Sequence, residues 1–326
     1  MKNLKRKILP ILACAFFMVG IKTSHAVDWS NDKQSYMYGA GLSQEQVQSV
    51  AKTLDLDMDN VNMDAVRGSD PQKYLGYTTE DYNMISSVAV KKLAKGKGIT
   101  VDIKTPANIT SITEGQYTNA AITAGITDAE IKVAAPVQVT GESALVGVYK
   151  AVELAGGNVD TQRTQVAQEE LGSLKKISEE NASNENFDKD KLDKVVIDVK
   201  QKLQEHKEKN GTTADEDQIK IYIQDALNNV NMGDVLSNNN IQILVNFFDQ
   251  YQHTSAIDSK EVKENLKKFA GEIGDKAGKF YQDNKEQIDK TLQEAKDSGL
   301  WDKIVDFFNS IFESFTSIFS SDDASN

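Results

Sequence analysis

The side chains that could carry out chemistry in this sequence are few and widely separated. Two histidines, His206 and His253, follow the N-terminal segment, and both fall in predicted helices that are far apart in the chain. This placement favours solvated helix residues over a metal centre or a general base. The sequence contains no Gly-x-Ser-x-Gly elbow, no His-Glu-x-x-His motif and no P-loop. We therefore predict no catalytic residue, no cofactor and no metal site.

Three aspartates, Asp55, Asp57 and Asp59, alternate like the first ligands of a calcium-binding loop. Such a loop needs a sharp turn at its sixth position and a bidentate carboxylate at its twelfth. Those two positions hold Asn60 and Val66, so the pattern fails. We predict a solvated turn after a helix, with a weaker calcium site as the alternative.

A second candidate site surrounds the start of a predicted helix. Residues 108–114 precede that start, where free backbone N–H groups could hold an anion or a carboxylate. Simple capping of the helix is the alternative. Nearby polar side chains could line a cleft or could equally be packing residues. The candidate pocket consists of Asn108, Thr110, Tyr117, Asn119 and Pro136.

The N-terminal segment has the three parts of an export signal. Residues 2–7 contain four basic side chains, and residues 8–21 form an apolar run. Ser24-His25-Ala26 then places small residues at the −3 and −1 positions of a cleavage site. We therefore predict a cleavable signal peptide over residues 1–26 and a mature chain that begins at Val27.

Two alternatives to a cleaved signal stay open at this point. A membrane anchor needs about 20 apolar residues, whereas this apolar run is shorter and contains Pro10. A lipobox, Ile11-Leu12-Ala13-Cys14, would instead leave a lipid-anchored protein that begins at Cys14. The apolar stretch before Cys14 is very short and the run continues past it to Ile21, so the cleaved signal is favoured.

Removal of residues 1–26 changes the charge and the chemistry of the chain. The segment holds five of the 37 Lys and Arg side chains, none of the 49 Asp and Glu side chains, and the single cysteine. The mature chain then has 32 basic and 49 acidic side chains, a net charge of −17. Because such a surface repels nucleic acid and anionic lipid, we expect no nucleic-acid partner. Without Cys14, disulfides and thiol catalysis are excluded.

The mature chain changes character near Gly156-Gly157 and is long enough for two domains. Before this point, β-branched apolar runs alternate with helical patterns, which predicts an α+β domain at 27–157. We expect it to contain a small sheet with a hairpin, and helices on one face of that sheet. After this point the pattern is all-α. We divide it into a helical domain at 158–257 and, at 258–326, a long amphipathic helix followed by a C-terminal aromatic amphipathic helix.

Local patterns assign helices and strands in the first part. Ser43 with Gln46, and Ser111 with Glu114, form capping boxes that predict two helix starts. A hairpin is predicted where Lys95-Gly96-Lys97-Gly98 joins two apolar runs. The predicted elements are a helix at 43–54, a strand at 61–66, hairpin strands at 85–93 and 99–103, a helix from 111 through 124, a strand at 130–135 and a helix at 142–155.

Helical periodicity dominates the second part of the chain. Thr213 with Glu216 forms a third capping box, and clusters of Asn and Gly separate the helices. The apolar stripe of the long helix repeats about every eleven residues, so it stays on one side of a nearly straight helix. Such a helix lines a bundle or lies along a surface. The predicted helices are 160–182, 188–209, 214–230, 237–253, 258–297 and 299–319.

Several short segments between residues 74 and 153 resemble a known family in their order and spacing. They include Ile85-Ser86-Ser87-Val88, Tyr117-Thr118-Asn119-Ala120 and Thr140-Gly141-Glu142-Ser143-Ala144-Leu145. Over about residues 36–156, the chain resembles the YpuA-like family of exported proteins from Gram-positive bacteria, a domain of unknown function. The resemblance implies a secreted or cell-surface protein of a Gram-positive bacterium. It implies no activity, and no functional residue is carried over from it.

The C-terminal segment has the clearest physical signal. Between residues 300 and 319, apolar side chains recur every three or four residues and form one broad, aromatic-rich helix face. Charged residues spread along the segment argue against a membrane span. Three interpretations stay open: packing on the protein's own core, helix-to-helix self-association, and a position in a membrane interface. The candidate interaction face consists of Trp301, Ile304, Phe307, Phe308, Ile311, Phe312, Phe315 and Phe319.

These patterns predict a secreted, non-catalytic protein of the cell envelope or the extracellular space. Its C-terminal amphipathic helix would engage a membrane surface or a protein partner, including a second copy of the chain. The alternative is a small-ligand or glycan-binding module, or an unrecognised hydrolase, in the N-terminal domain. That alternative predicts a concave pocket with convergent polar groups near Asn108, Tyr117 and Pro136.

Overall fold

The computed structural model describes residues 33–283, with side chains through residue 274. Within this range a small mixed sheet is followed by a run of helices, which confirms the predicted α+β architecture and the all-α region after it. The strands are β1 Ser35–Gly39, β2 Asn62–Val66, β3 Ser87–Lys92, β4 Ile99–Ile103 and β5 Ala129–Ala134. The helices are α1 Gln44–Thr53, α2 Pro71–Leu75, α3 Glu114–Ala124, α4 Ser143–Leu154, α5 Thr161–Glu180, α6 Lys189–Asn210, α7 Glu216–Asn229, α8 Asn238–Gln252 and α9 Lys260–Asp283.

The strands follow the order β2-β1-β3-β5-β4 across the sheet. β1 is parallel to β2 and antiparallel to β3, whereas β5 is antiparallel to β3 and parallel to β4. The sequence did not predict β1, although Tyr36 and Met37 are fully buried on its two faces. A strand that is buried on both faces lacks the alternation of apolar and polar residues that identifies a surface strand.

The predicted hairpin is wrong, because β5 lies between β3 and β4. The loop after β3 passes the start of β5. There the N–H groups of Leu93 and Gly98 donate to the carbonyl and the carboxylate of Asp128, each at 2.8 Å. Because β5 is central, Ile131 and Val133 each have β-branched neighbours on the strands to both sides. Such neighbours on two strands stabilise a sheet more than a neighbour on one strand. The resulting rows are Val90, Ile131 and Val101, and Val88, Val133 and Ile103.

Helices cover both faces of the sheet, whereas the sequence predicted helices on one face. Tyr36, Ala89 and Ala134 form a buried cluster with the apolar side of α1. The Tyr36 hydroxyl donates to the Val47 carbonyl of α1 at 2.9 Å, which ties this helix to the sheet. The opposite face packs against α3 and α4. Its buried side chains include Met37, Val88, Val90, Ile131 and Val133.

One apolar core joins the sheet to the helical region. Leu171 and Leu174 of α5 are fully buried in the same cluster as Val88 of the sheet, and Val262 and Leu266 of α9 also belong to it. The division near residue 157 stays a prediction of composition, but the packing connects its two sides. Among the described helices, none is long and apolar enough to cross a membrane.

The N-terminal cap of helix α3 lies two residues later than predicted. The cap is Thr113, which forms a capping box with Gln116, so the predicted box of Ser111 and Glu114 is wrong. Glu114 has a different task, because its carboxylate accepts a hydrogen bond from the N–H of Ile103 at 3.1 Å. The glutamate thereby connects the start of α3 to the end of β4.

The other two predicted caps had different outcomes. The capping box of Ser43 and Gln46 at α1 is confirmed. The predicted box of Thr213 and Glu216 is wrong, because α7 is capped by the carboxylate of Asp215. In an acidic, polar segment, a possible cap residue is often followed three positions later by Glu or Gln by chance. The predicted helix start can then be wrong by a few residues.

We predict that Leu171→Ala lowers the free energy of unfolding by about 2–5 kcal/mol, because it opens a cavity where α5 joins the shared core. Urea denaturation of the mature chain, followed by circular dichroism, measures the loss. Leu154→Ala is the matched control, since Leu154 is 45% exposed and loses little packing. Equal losses in the two variants would contradict the shared core.

Candidate functional site

The predicted pocket residues use their polar groups on the protein's own backbone. Asn108 donates from Nδ2 to the carbonyl of Ala135 at 2.8 Å, and the Thr110 hydroxyl donates to the carbonyl of Val139 at 3.0 Å. The buried Tyr117 donates from its hydroxyl to the carbonyl of Gly141 at 2.6 Å. These three donors hold the segment that follows β5, where half-buried Pro136 also lies. The geometry supports the packing interpretation of these residues.

Asn119 lies apart from the other pocket residues. It is fully buried in α3, and its Nδ2 donates to the main-chain carbonyl of Asp193 in α6 at 3.3 Å. The structure therefore brings four of the five predicted residues around one segment and places the fifth in a helix interface.

The most concentrated set of functional groups in the described residues is a polar cluster between α3, α5 and α6, which sequence reasoning missed. Each member is at most 2% exposed to solvent. We call this set the buried polar cluster. Its members are Asn119, Thr123, Arg163, Glu170, Asp193 and Lys200.

An ion pair lies at the centre of the buried polar cluster. Nζ of Lys200 is 2.6 Å from Oε1 of Glu170, and neither side chain is exposed. The ammonium also donates to the Thr123 hydroxyl at 2.8 Å, and it faces the rings of Phe247 and Tyr251 at 5.7 and 5.4 Å. Burial lowers the pKa of Lys200 below its ordinary value, and the Glu170 carboxylate opposes that shift.

Arg163 connects the same cluster to the end of α3. Its Nε donates to the Thr123 carbonyl at 2.8 Å, and its Nη2 donates to the Ile122 carbonyl at 3.3 Å. These carbonyls belong to the last turn of α3, where the helix leaves acceptors without helical partners. A side chain at Gly125 would collide with the guanidinium, so the glycine that ends α3 also makes room for Arg163.

The sequence contained a signal for this cluster. Glu170 falls four residues after Val166 on the apolar stripe of α5, and Lys200 falls four residues after Val196 on the stripe of α6. A charged residue at such a position is either misplaced or paired inside the protein. Periodicity identifies the position but not the partner, which only the fold supplies.

The buried polar cluster is closed to solvent. Its ion pair and its arginine are enclosed and hydrogen-bonded to protein groups, and solvent does not reach them. What the cluster can do chemically is hold charge, and at Asp193 a proton, between three helices.

An open groove lies nearby, between α5 and α8. Its volume is about 340 Å³, and Gly172 of α5 leaves part of it open, because a side chain there would meet no atom within 4 Å. Burial raises the pKa of Glu169 at its rim, and a hydrogen bond from Gln250 opposes this shift. The lining residues are Glu169, Gly172, Ser173, Lys176, Ile243, Asn246, Phe247 and Gln250.

The remaining candidates contact protein groups. Nδ1 of His206 lies 2.9 Å from the Tyr222 hydroxyl, and Nδ1 of His253 lies 2.7 Å from the Asp249 carbonyl. The carboxylate of Asp57 accepts a hydrogen bond from the backbone in the turn after α1. Among the side chains that the structure describes, in residues 33–274, no group of three or more His, Cys, Asp or Glu is arranged to hold a metal ion.

The candidate interaction face of residues 300–319 lies outside the described residues. It therefore stays a prediction from the sequence.

Comparison with known proteins gives a family but no activity. A family model described as "Protein of unknown function (DUF1002)" matches residues 38–269, which extends well beyond the resemblance over 36–156. The Uncharacterized protein YpuA of Bacillus subtilis (strain 168) is 27% identical over 321 residues, which cover 97% of this chain and 100% of that protein. No solved structure matches the chain.

We predict that Lys200→Met lowers the free energy of unfolding by about 3–5 kcal/mol, because it leaves the Glu170 carboxylate buried without its cation. Replacing both residues, in Lys200→Met with Glu170→Met, recovers much of that loss because neither charge of the pair remains without its partner. Urea denaturation of the three proteins measures the difference. Lys220→Met is the matched control, since it breaks an exposed pair with Glu216 and should change stability little. Comparable losses in Lys200→Met and Lys220→Met would contradict the central role of the buried pair.

We predict that Gly172→Ala raises the free energy of unfolding by about 0.5–1 kcal/mol, because alanine is the better helix former and the groove accommodates its methyl group. Gly115→Ala, the same change in α3, should destabilise, because the new methyl group would overlap the Asp193 carboxylate. Thermal unfolding of both variants tests the contrast. Destabilisation by Gly172→Ala would show that the groove is not free to accept a side chain.

Proposed function

Since the chain belongs to the DUF1002 family of proteins of unknown function, we propose its role from its own physical features. It is an exported, non-catalytic interaction protein of the cell envelope or the extracellular space. The candidate interaction face of residues 300–319 engages a membrane surface or a protein partner. The observation that carries this proposal is the unbroken three- and four-residue spacing of apolar and aromatic side chains in that segment.

The energy of burial limits how this face works. Complete burial of the eleven apolar side chains between residues 300 and 319 would stabilise a complex by on the order of 15 kcal/mol, at about 1.5 kcal/mol each. Ordering some twenty residues costs a similar amount, at about 1 kcal/mol each. If the segment is disordered before it binds, burial of only half of its apolar surface does not offset the free-energy cost of ordering it. The face works by full burial against protein, or as a helix that is already formed when it meets lipid.

The use of polar groups in the described body supports a role without catalysis. The buried polar cluster is enclosed, and its ion pair is bonded within the protein. The donors of the predicted pocket contact backbone carbonyls. No specific observation in these contacts favours the alternative of a small-ligand site or a hydrolase.

Helix α9 anchors the chain that leads towards this face. Val262 and Leu266 are buried in the shared core. Lys263 forms an ion pair with Glu208 of α6 at 2.7 Å, and Lys268 donates from Nζ to the Gly96 carbonyl at 2.8 Å. The body thus holds the first turns of α9 firmly. A partner-binding segment that follows α9 in the sequence requires such an anchor.

We predict that Phe308→Asp weakens binding at least tenfold, because it puts a charge on the apolar face. Asn309→Asp is the matched control, since it adds the same charge at the next position, on the polar face, and should leave binding unchanged. Flotation with phosphatidylcholine vesicles measures membrane binding, because neutral lipid avoids repulsion by the acidic chain. Size-exclusion chromatography with light scattering measures self-association.

A truncated chain of residues 27–299 completes the test. We expect it neither to float with vesicles nor to self-associate, whereas residues 27–326 do at least one of these. If the two chains float equally and have the same oligomeric state, the interaction role of the C-terminal segment is wrong.

A further inference from the structure

Asp193 occupies an unusual place for a carboxylate. It lies in the second turn of α6 and is 1% exposed, and its side chain is pressed against α3. Its Oδ2 accepts a hydrogen bond from the Thr113 hydroxyl, the cap of α3, at 2.9 Å. The same oxygen lies so close to Gly115 that any side chain there would overlap it. The contact between α3 and α6 is therefore shaped around this carboxyl group.

Two buried acceptors at this contact have no donor. Oδ1 of Asp193 and Oδ1 of Asn119 are both shielded from solvent and form no hydrogen bond with the protein. The two residues are in contact, because Nδ2 of Asn119 donates to the main-chain carbonyl of Asp193. That bond also fixes the orientation of the Asn119 amide. A proton on Asp193 would turn one of the two acceptors into a donor, whereas a charged carboxylate would leave both unsatisfied.

The charges that face Asp193 favour its neutral form. Asp188 and Asp190, on its own helix, and Glu170, on α5, are all acidic, and Lys200, a cation that interacts with Asp193, is already paired with Glu170. From α3 the contacts are neutral, and Glu114 is turned towards the N–H of Ile103. Burial raises the pKa of Asp193 well above its ordinary value, the bond from Thr113 opposes this shift, and the three acidic neighbours add to it.

We propose that Asp193 is a proton-dependent latch between α3 and α6, which is closed when its carboxyl group is neutral and loosened when the group ionises. The neutral carboxyl accepts from Thr113 and donates to Asn119. Ionisation removes the donor and leaves a buried charge beside three acidic side chains. The latch therefore acts at the contact between α3, which covers the sheet, and α6, which packs against α7 and α9.

The direction of the pH dependence follows from the raised pKa. The pKa of an aspartate in the unfolded chain is about 3.9, below that of Asp193 in the folded protein. The contribution of the neutral group to stability is fully present below about pH 4. It is lost as the pH rises through the folded-state pKa, by up to tenfold in the folding equilibrium constant for each pH unit.

Urea denaturation of the mature chain and of Asp193→Asn, at one-unit steps from pH 4 to pH 9, tests the latch. Asparagine is a permanently neutral mimic that can still donate to Asn119. We expect the folding equilibrium constant of the wild type, divided by that of Asp193→Asn, to fall as the pH rises. Asp234→Asn, which removes an exposed aspartate, should keep the wild-type profile. A ratio that does not change with pH overturns the proposal.

A second variant keeps the test decisive if Asp193→Asn folds poorly. Thr113→Val removes the hydrogen bond that lowers the pKa of Asp193, so the loss of stability should begin at the same pH but continue to a higher pH before it levels off. A merely structural role of Thr113 would lower stability equally at every pH, and that result would contradict the latch. Infrared spectroscopy of the wild type at about pH 5, above the ordinary pKa of an aspartate, should also contain the carbonyl band of a protonated carboxylic acid. A spectrum without this band overturns the proposal independently of any variant.

Discussion

The ion pair between Lys200 and Glu170 determines how the two parts of this protein fit together. Both charges have left water completely, which is favourable only when each is fully hydrogen-bonded and paired. Lys200 meets that condition through Glu170 of α5 and the Thr123 hydroxyl of α3, and through the rings of α8. Four helices must therefore sit in one arrangement, since any other would leave a buried charge unpaired.

Helix α3 is the element that this arrangement fixes. Nine of its eleven residues, 116–124, are buried, so it contacts protein on all sides. Asp193 holds its first turn, Lys200 its middle through the Asn119 carbonyl, and Arg163 its last turn. Since α3 also covers the sheet, these three contacts set the position of the helical region relative to the sheet. Apolar packing alone tolerates sliding between helices, whereas directional bonds to buried groups do not.

The sequence predicted most helices of the second part because their boundaries are marked locally. Asp160, Asp188 and Ser237 cap α5, α6 and α8, and Gly211 ends α6, so both ends and the apolar faces could be located within a few residues. The order of the strands depends instead on contacts between distant segments. The sequence of the loop between β3 and β4 does not indicate that β5 lies between these two strands, because a crossing loop and a tight turn both use glycine.

The candidate site was predictable only in part for the same physical reason. Glu170 and Lys200 interrupt apolar stripes, which identifies them as buried or misplaced, but they are thirty residues apart and on different helices. Asn119 was expected in a pocket and lies in a helix interface, because polarity alone does not say whether a buried amide serves a ligand or the protein's own backbone. Sequence pattern thus locates polar groups that need partners, while topology decides what those partners are.

Helix α6 connects the interior of the protein to helix α9. One side of α6 carries Asp193 and Lys200 against α3, and its C-terminal end pairs with α9 through Glu208 and Lys263. A change in the contact between α3 and α6 is therefore also a change in the base of α9, because a packed helix moves as a rigid unit over this length. The buried charges that hold the fold together thereby also determine the position of the first turns of α9, which the aromatic C-terminal segment follows in the sequence.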